Sequence, residues 1–257
     1  MIGSGPAGQK AAIAAAKARK HVAVIDRTTM IGGVSVHTGT IPSKTVREAI
    51  FQLTGSAVNG NRYKTQDEIS REELSLRVKE ITGRETKVIR AQLKRNGVSI
   101  YEGNAQFLDP HTVEVQSDTG GTKLEAEQIL IASGTRPAHD PEIPFDNQSI
   151  IDADHLPGLG QVPREIVIVG AGVVGLEYAS FMAAGGVDVV LIDQRSVILG
   201  FVGREIAEAL FYHLRRLGVT FRLGEKVTRV GRDATRNRVF AELESGKKVL
   251  SDACCMQ

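Results

Sequence analysis

One pattern occurs twice in this chain and limits its fold more than any other feature. Residues 2–26 and 166–193 each contain an apolar run, a G-x-G-x-x-G segment, an alanine-rich helical stretch and a β-branched strand that ends in aspartate. Asp26 and Asp193 each lie 18 residues after the last glycine of their segment, close to the spacing of a carboxylate that binds the ribose of a dinucleotide. The repeat predicts an α/β fold with two Rossmann-like dinucleotide-binding domains.

The three glycines of such a segment have different physical roles. The first makes the tight turn, the second lets the backbone approach a pyrophosphate, and the third lets the helix pack on the strand. The phosphates then lie at the helix N-terminus, where unpaired N–H groups and the helix dipole favour anions. Two segments in the same context are stronger evidence than one, although a pair of structural units without a ligand remains the alternative. The residues predicted to form the two dinucleotide-binding turns are Gly3, Gly5, Pro6, Ala7 and Gly8 in the first segment and Gly170, Gly172, Val173, Val174 and Gly175 in the second.

Composition and charge exclude several classes of protein. The 257 residues are enough for two domains. The formal net charge of +2 is close to balance and the basic residues are spread along the chain, so neither nucleic acid nor a membrane is a predicted partner. The sequence has no apolar run of roughly 18 residues and no signal-peptide pattern, which predicts a cytoplasmic protein without a membrane span. The two cysteines, Cys254 and Cys255, are adjacent, which favours small buried positions in a strand over a disulfide framework; no metal site is predicted.

The segments between the two repeats predict two helices. Residues 42–54 begin with Pro42, which favours the first turn of a helix. Residues 71–95 place apolar side chains at helical spacing and predict a long amphipathic helix, with Gly83 as its weak point. The residues of that stripe are Leu74, Val78, Ile81, Val88 and Gln92.

A small sheet is predicted after these helices. Short alternating runs between residues 98 and 132 predict an antiparallel β-meander that returns into a final strand. A proline-rich linker follows at residues 136–148. We therefore predict two domains, residues 1–150, which include the meander, and residues 151–257.

Four stretches resemble one known family, the two-dinucleotide-binding-domain flavoproteins of the class I pyridine nucleotide-disulfide oxidoreductases. GSGPAG with Asp26 is similar to the family's FAD fingerprint, and GAGVVGLE is similar to its nicotinamide-nucleotide fingerprint. IPSK resembles the helix after the family's redox loop, and ILIASGTRP resembles its second flavin-contacting strand end. The resemblance covers essentially the whole chain and implies FAD in the first domain and NAD(H) or NADP(H) in the second.

The resemblance also implies which residues hold the two dinucleotides. Besides the first glycine segment, those implied for FAD are Asp26, Arg27, Gly32, Gly33, Ser35, Gly39, Thr40, Lys44, Ala105, Ala132, Ser133 and Gly134. Besides the second glycine segment, those implied for the nicotinamide nucleotide are Glu177, Asp193 and Arg195. Asp193 suits a free 2′-hydroxyl and Arg195 suits a 2′-phosphate, a mixture that fits an enzyme using both NAD(H) and NADP(H).

The stretch GGVSVHTGTIPSK, residues 32–44, departs from the family's redox loop. Where the disulfide reductases carry a C-x-x-x-x-C pair, this sequence has Ser35 and Thr40. A hydroxyl cannot cycle between thiol and disulfide, so disulfide-reductase activity loses its central group. Other details of the chain resemble the family's transhydrogenases, which implies ping-pong hydride transfer between NADPH and NAD⁺ through FAD. The alternatives are a dihydrolipoyl dehydrogenase-like enzyme that has lost its cysteine pair, a flavin-dependent oxidase or quinone reductase, and a binding protein without activity.

The resemblance implies two catalytic residues. Lys44 would lie against flavin N5, and Glu177, two positions after the last glycine of the second segment, would pair with it; the alternative for each is a surface charge. We expect Ser35 and Thr40 to hydrogen-bond the flavin or the local backbone. We expect His37 to be a packing or loop residue rather than a base.

The sequence also predicts that the chain is incomplete. Only Met1 and Ile2 precede the first glycine segment, and family members continue after the second domain into a further flavin-contacting segment and a dimerisation domain. The ending at residues 254–256, where family members would run on as an apolar strand, suggests a truncation or a reading-frame change. The chain is therefore expected to be poorly soluble, to hold FAD weakly and to be inactive alone, with a homodimer or higher oligomer only for a full-length form.

Overall fold

The computed structural model describes residues 1–54, 71–118, 120–158 and 162–257, and it is a mixed α/β structure with parallel sheets. The α-helices of these residues are α1 (Pro6–Lys17), α2 (Val34–His37), α3 (Thr40–Thr54), α4 (Arg71–Arg95), α5 (Val173–Ala184) and α6 (Arg204–Arg216). The strands are β1 (Ala23–Asp26), β2 (Ser99–Glu102), β3 (Asn104–Phe107), β4 (Thr112–Ser117), β5 (Gly120–Glu125), β6 (Ile150–Asp152), β7 (Glu165–Val169), β8 (Asp188–Asp193), β9 (Thr220–Leu223), β10 (Val227–Asp233), β11 (Arg238–Leu243), β12 (Lys248–Ser251) and β13 (Ala253–Met256). Among the helices described, none combines the length and the apolar character needed to cross a bilayer.

The chain divides into two compact units. These are Met1–Pro42 with Lys79–Arg136, and Ser43–Val78 with Pro137–Gln257. Residues 43–54 and 137–150, which the sequence assigned to the first domain, thus lie in the second unit. Helix α3 belongs there because Val46 and Ile50 are buried in that unit's core, and β6 belongs there because it pairs with β13. The functional boundary near residue 150 stays a prediction.

The first unit is built around a small parallel sheet. β1 pairs in parallel with β2, and Ile2 forms single parallel bridges to Ile25 and to Ile131. The N–H groups of Gly3 and Ala132 extend this pairing, because they donate to Ile25 O (2.8 Å) and to Ile2 O (2.7 Å) respectively. Helices α1 and α4 share one core with this sheet. Its buried residues are Ala12, Val24, Ile31, Val36, Ile89, Leu93 and Val98.

The antiparallel meander is shorter than the sequence predicted. β3, β4 and β5 form a three-stranded antiparallel sheet. However, residues 99–102 form β2 parallel to β1, and Ile131 makes only an isolated bridge where the last strand was predicted. Side chains alternate in every strand, so the sequence pattern is the same for parallel and antiparallel pairing. The parallel partner follows from the crossover through α4, which returns the chain beside β1.

Helix α4 has the predicted bounds and continues through Gly83. The predicted apolar stripe is wrong at Val88, which is 47% exposed, whereas Ile89 and Leu93 are buried. The buried stripe of this part of the helix consists of Ile89 and Leu93, which lie four residues apart and pack in the core of the first unit, and Val88 lies about 100° away from Ile89 around the helix. Val78 packs in the core of the second unit. The side chain of Leu74 lies outside the described residues.

The second unit contains a five-stranded parallel sheet in the order β6-β13-β7-β8-β9. Ile166 and Leu191 face a core shared with α5 and α6, whereas Val167 and Ile192 face a core shared with the antiparallel sheet β10-β11-β12. Consecutive residues thus alternate between the two faces of the sheet. The second glycine segment follows β7 and Asp193 ends β8, so both lie at the carboxyl edge of the sheet, where open α/β sheets bind ligands.

The strand β13 pairs in parallel with both β6 and β7. Its Cys254 and Cys255 are fully buried, which confirms the prediction that they fill small positions in a strand. Burial raises the pKa of both thiols, that of Cys255 to about 12.

We expect these two thiols to be inert toward a water-soluble aromatic disulfide reagent at about pH 8, because the reactive form is the thiolate. The measurement is the time course of labelling, which should be slow in the folded protein and fast in urea. The raised pKa also predicts that stability falls once the pH rises above the ordinary thiol pKa, since the unfolded thiols ionise first. Fast labelling of the folded chain would contradict the position of β13 inside the sheet.

Candidate functional site

The first glycine segment makes a tight turn in which two glycines are sterically required. Gly3 has a φ of +101°, and a Cβ on it would lie 2.2 Å from Ala132 O. A Cβ on Gly8 would lie 2.0 Å from Gly3 O. On Gly5, in contrast, the nearest atom to a Cβ would be Gly33 Cα at 3.8 Å, an ordinary contact. The fold therefore requires the first and third glycines, while the second leaves its backbone accessible.

The second glycine segment repeats this division. Gly170 has a φ of +111°, and a Cβ on it would lie 2.7 Å from Gln257 Cβ. A Cβ on Gly175 would lie 2.0 Å from Gly170 O, whereas a Cβ on Gly172 would have no atom within 4 Å. The predicted turn and packing roles of the outer glycines are confirmed in both segments. The contact of the middle glycine with a pyrophosphate stays a prediction.

A helix begins directly after the middle glycine of each segment. Helix α1 starts at Pro6 after the N-cap Gly5, and α5 starts at Val173 after the N-cap Gly172. Neither N-cap supplies a side-chain hydrogen bond. The first N–H groups of both helices are thus available to an anion, which the helix dipole also favours. Ala7 and Val174 are the second residues of these helices, and Val173 and Val174 are exposed.

The carboxylate of Asp26 is bonded to the turn of the first segment. Its Oδ2 accepts the N–H and the hydroxyl of Ser4, each at 2.6 Å, and its Oδ1 accepts the N–H of Arg27 at 2.8 Å. The hydroxyl oxygen of Ser4 in turn accepts the N–H of Gly32 at 2.9 Å. Ser4 is fully buried and joins the strand end, the turn and the following loop. Sequence reasoning missed Ser4. Its position between the first two glycines, where a hydroxyl can bond the strand-end carboxylate, could have indicated it.

Asp193 occupies the corresponding place in the second segment and is 6% exposed. Its Oδ2 accepts the N–H of Ala171 at 2.6 Å, as Asp26 accepts that of Ser4. Arg195 donates its backbone N–H (2.8 Å) and Nε (2.9 Å) to Oδ1, and Nη2 (2.6 Å) to Oδ2. The Arg195 guanidinium, outweighing the opposing effect of burial, lowers the pKa of Asp193 to about 2. The two side chains that the sequence assigned to separate tasks are therefore joined in one ion pair.

The loop in which Ser35 and Thr40 stand at the C-x-x-x-x-C spacing contains local hydrogen bonds. Ser35, in α2, donates its hydroxyl to Gly32 O at 3.2 Å, which confirms the expected bond to the local backbone. Thr40 is the first residue of α3, and the N–H of Gly39 donates to Val34 O at 2.7 Å. A role of Ser35 or Thr40 toward a flavin stays a prediction.

His37 lies at the end of the short helix α2. Its Nε2 lies 2.9 Å from Ile31 O, so the ring fixes the backbone at the start of this loop. This contact agrees with the expected packing role, although the residue lies in a short helix and not in a loop; that His37 is not a base stays a prediction. In the same segment, Thr38 Oγ1 is buried and has no hydrogen-bond partner among the described residues.

Lys44 of α3 and Glu177 of α5 form the predicted ion pair, between Nζ and Oε1, within the second unit. The side chains are 48% and 31% exposed. Exposed ion pairs contribute about 0–1 kcal/mol to stability, so folding alone gives little reason for this pair. Its place beside a flavin stays a prediction.

The remaining residues implied for FAD lie in the first unit. Ala132 is in contact range of Gly3 and Gly8, and Ser133 follows it. Gly134 has a φ of +71°. Ala105 lies in β3 and is partly buried against the core of the meander. The structure therefore places Ala132 next to the first glycine segment and Ala105 in the antiparallel sheet β3-β4-β5.

A second polar cluster, which sequence reasoning missed, surrounds Asp152 at the end of β6. Asp152 is 3% exposed and lies 2.5 Å from His139 Nε2 and 2.6 Å from His155 Nδ1. Burial acts to raise the pKa of Asp152, but the hydrogen bonds from the two histidines outweigh it and the pKa lies below its usual value. The available signal was an aspartate at the end of an apolar run between two histidines.

Comparison with known proteins adds an independent line of evidence. The profile of the family described as pyridine nucleotide-disulphide oxidoreductase matches residues 1–257. The soluble pyridine nucleotide transhydrogenase of Mycobacterium bovis (strain BCG / Pasteur 1173P2) is 46% identical over 254 residues, covering 97% of this chain and 54% of that protein. The protein of the same name from Ectopseudomonas mendocina is 39% identical over 261 residues, covering 98% and 55%. The chain spans about half the length of the curated relatives it matches.

Two solved structures share the fold over the whole chain. LpdA from Mycobacterium tuberculosis superposes with a TM-score of 0.89 at 27% identity, covering 100% of this chain and 57% of that one. The Cu(II) complex of the HOCl-induced flavoprotein disulfide reductase RclA from Escherichia coli gives a TM-score of 0.84 at 26% identity, covering 100% and 55%. Both similarities extend over the two glycine segments.

Proposed function

The chain belongs to the pyridine nucleotide-disulphide oxidoreductase family, and we propose that it serves FAD-dependent hydride transfer between NADPH and NAD⁺. The observation that carries this proposal is the repeated arrangement of an open middle glycine, an uncapped helix N-terminus and a strand-end carboxylate. Two such arrangements suit two dinucleotides. Relatives named soluble pyridine nucleotide transhydrogenase support the choice of reaction.

The residues of the first unit fit FAD. Gly5 and the start of α1 offer N–H groups to a pyrophosphate. Asp26 Oδ1 accepts one N–H, from Arg27, and retains acceptor capacity for a ribose hydroxyl. Thr38 Oγ1 is a buried polar atom that lacks a protein partner in the described residues, in the loop that the family resemblance assigns to the flavin. An unpaired buried hydroxyl is costly, which favours a bound polar group near it.

When bound, FAD supplies a ring that accepts hydride from one nicotinamide and gives it to another. Lys44 lies in the second turn of α3, which begins at Thr40 just after the segment of residues 32–39, and we assign its ammonium to the reactive edge of that ring, where a cation stabilises added negative charge. Glu177 orients this ammonium through their ion pair. The nicotinamide nucleotides bind in turn at the second glycine segment, one leaving before the other enters, which gives ping-pong kinetics.

The cysteines of the chain argue against a dithiol route. Ser35 and Thr40 stand at the C-x-x-x-x-C spacing, and the two cysteines in the sequence, Cys254 and Cys255, are buried in β13 with raised pKa values. Thiol–disulfide exchange requires an accessible thiolate. A lipoamide-type reaction therefore has no group to carry it, whereas hydride return to a second nicotinamide needs none. Oxygen and quinones stay as alternative acceptors for the experiment to test.

Because the 257-residue chain is expected to hold FAD weakly and to be inactive alone, the proposal is tested with a version extended at both ends from its genomic locus, reconstituted with FAD under anaerobic conditions. We expect NADPH to bleach the flavin absorbance of this protein and thio-NAD⁺ to restore it, with one thio-NADH formed for each NADPH consumed. Lipoamide, oxygen and a soluble quinone are offered to the reduced protein in parallel. Failure of the reconstituted protein to retain FAD would contradict the proposal, and so would restoration of the flavin by oxygen or quinone but not by thio-NAD⁺.

A further inference from the structure

We propose that Asp193 and Arg195 form a two-state specificity switch: the closed ion pair takes the 2′-phosphate of NADP(H), and the opened pair takes the ribose hydroxyls of NAD(H). The inference rests on the proposed function, because it assigns the second glycine segment to nicotinamide nucleotides. It adds a mechanism by which one site accepts two ligands that differ by a dianionic phosphate.

The acceptor capacity of Asp193 is fully used in the closed pair. A carboxylate offers about four lone-pair positions. In Asp193 these meet the N–H of Ala171 and the backbone N–H, Nε and Nη2 of Arg195. A ribose hydroxyl that donates to this carboxylate must therefore displace the Arg195 side chain.

Asp26 shows what the same position looks like without a guanidinium. Its hydrogen bonds come from the N–H and hydroxyl of Ser4 and from the N–H of Arg27. In the described residues no side-chain cation bonds this carboxylate, so Oδ1 retains capacity for a hydroxyl. The ion pair is thus a particular feature of the second segment and not a requirement of the turn, which Ala171 completes through its backbone alone.

The closed pair suits a 2′-phosphate. An arginine side chain has five N–H donors, and Asp193 receives one from Nε and one from Nη2. The other donors remain for phosphate oxygens while the pair is intact, and the side chain is 56% exposed. The guanidinium also offsets the charge of Asp193, which would otherwise repel a phosphate.

The opened pair suits ribose hydroxyls. Rotation of the Arg195 side chain into water frees one acceptor position on each oxygen of Asp193. The backbone N–H groups of Ala171 and Arg195 still bond the carboxylate, so it stays in place. The Asp193 side chain is only 5% exposed, so opening costs the charge-assisted bonds of the pair; ribose hydroxyls bonded to the carboxylate, together with hydration of the 56% exposed Arg195 side chain, offset that cost.

The test is calorimetric titration of the FAD-reconstituted chain with NAD⁺ and with NADP⁺. For Arg195→Ala we expect NADP⁺ to bind about tenfold more weakly or worse, because charge-assisted bonds to the phosphate are lost. NAD⁺ should bind several-fold more tightly, because the competitor for Asp193 is gone. Arg195→Lys should retain part of the NADP⁺ affinity through its charge but without the planar fork.

The matched control is Arg236→Ala, which removes an exposed arginine paired with Asp233 in the same unit and should change neither affinity. If Arg195 only supported the local structure, its loss would weaken the binding of NAD⁺ and of NADP⁺ by similar factors. That result would overturn the switch but not the proposed function. Unchanged NAD⁺ affinity in Arg195→Ala would overturn it as well. Binding of neither nucleotide by the wild type would remove the proposed function and the switch together.

Discussion

Gly175→Ala is expected to destabilise the second unit by about 3 kcal/mol or more, at the upper end of the cost of overpacking. A Cβ at this position would lie 2.0 Å from Gly170 O, and the obstructing atom is backbone, which cannot rotate away. Since whole domains are stable by only about 5–15 kcal/mol, this one methyl group removes a large part of the stability. The measurement is urea-induced unfolding followed by circular dichroism, where the midpoint should fall steeply.

Gly172→Ala, three residues earlier, should separate binding from folding. A Cβ there meets no atom within 4 Å, and the backbone angles of φ −76° and ψ −176° suit alanine. Stability should stay within about 0.5 kcal/mol of the wild type. The methyl group would occupy the side from which a pyrophosphate approaches the backbone, so NAD⁺ and NADP⁺ should both bind roughly 100-fold more weakly.

Two results would contradict the predictions for Gly175→Ala and Gly172→Ala. Wild-type stability in Gly175→Ala would mean that the helix and the turn are not in close contact. Wild-type nucleotide affinity in Gly172→Ala would mean that the pyrophosphate does not lie against this turn. The first segment offers the same comparison for FAD, because Gly8 and Gly5 differ in the same way.

The glycine roles could be predicted from the sequence because they are local. A turn followed by a helix brings the first and third glycines together whatever the rest of the chain does, and Gly3 with Gly8 and Gly170 with Gly175 show this. The bounds of α4 were predictable for the same reason, since helical hydrogen bonds join residues four apart. The Lys44–Glu177 pair, which joins residues far apart in sequence, came from family resemblance and not from periodicity.

Two of the features that sequence reasoning missed, the pairing of β2 and the face on which Val88 lies, depend on parts of the chain that are distant in sequence. β2 is parallel to β1 because of the crossover through α4, and alternation within Ser99–Glu102 carries no information about that partner. Val88 was placed on the wrong face because Val88 and Ile89 are both apolar, and which of the two is buried depends on the core against which this part of α4 packs. The ion pair of Asp193 with Arg195 joins residues two apart and could have been predicted from the sequence. Residue types alone do not show, however, that the Arg195 side chain occupies acceptor positions of the Asp193 carboxylate.

Lys44→Met should slow reduction of bound FAD by NADPH about 100-fold, the usual cost of removing one electrostatic stabiliser from a reacting centre. The effect on folding should be small, because the Lys44–Glu177 pair is partly exposed. Methionine is unbranched and only one atom shorter than lysine, and it removes the charge, so packing changes little. The measurement is anaerobic stopped-flow absorbance of the flavin after mixing with NADPH.

Glu177→Gln is the matched variant for this test. It leaves the ammonium of Lys44 in the protein but removes the carboxylate that holds it, so the slowing of flavin reduction should be smaller than in Lys44→Met. In the double variant the two losses should not add, because Glu177 is expected to act only through Lys44. Flavin reduction at the wild-type rate in Lys44→Met would show that this ammonium does not contact the reacting ring. Fully additive losses would show that Glu177 acts independently of Lys44, since a positioning residue has no effect once the group it positions is gone.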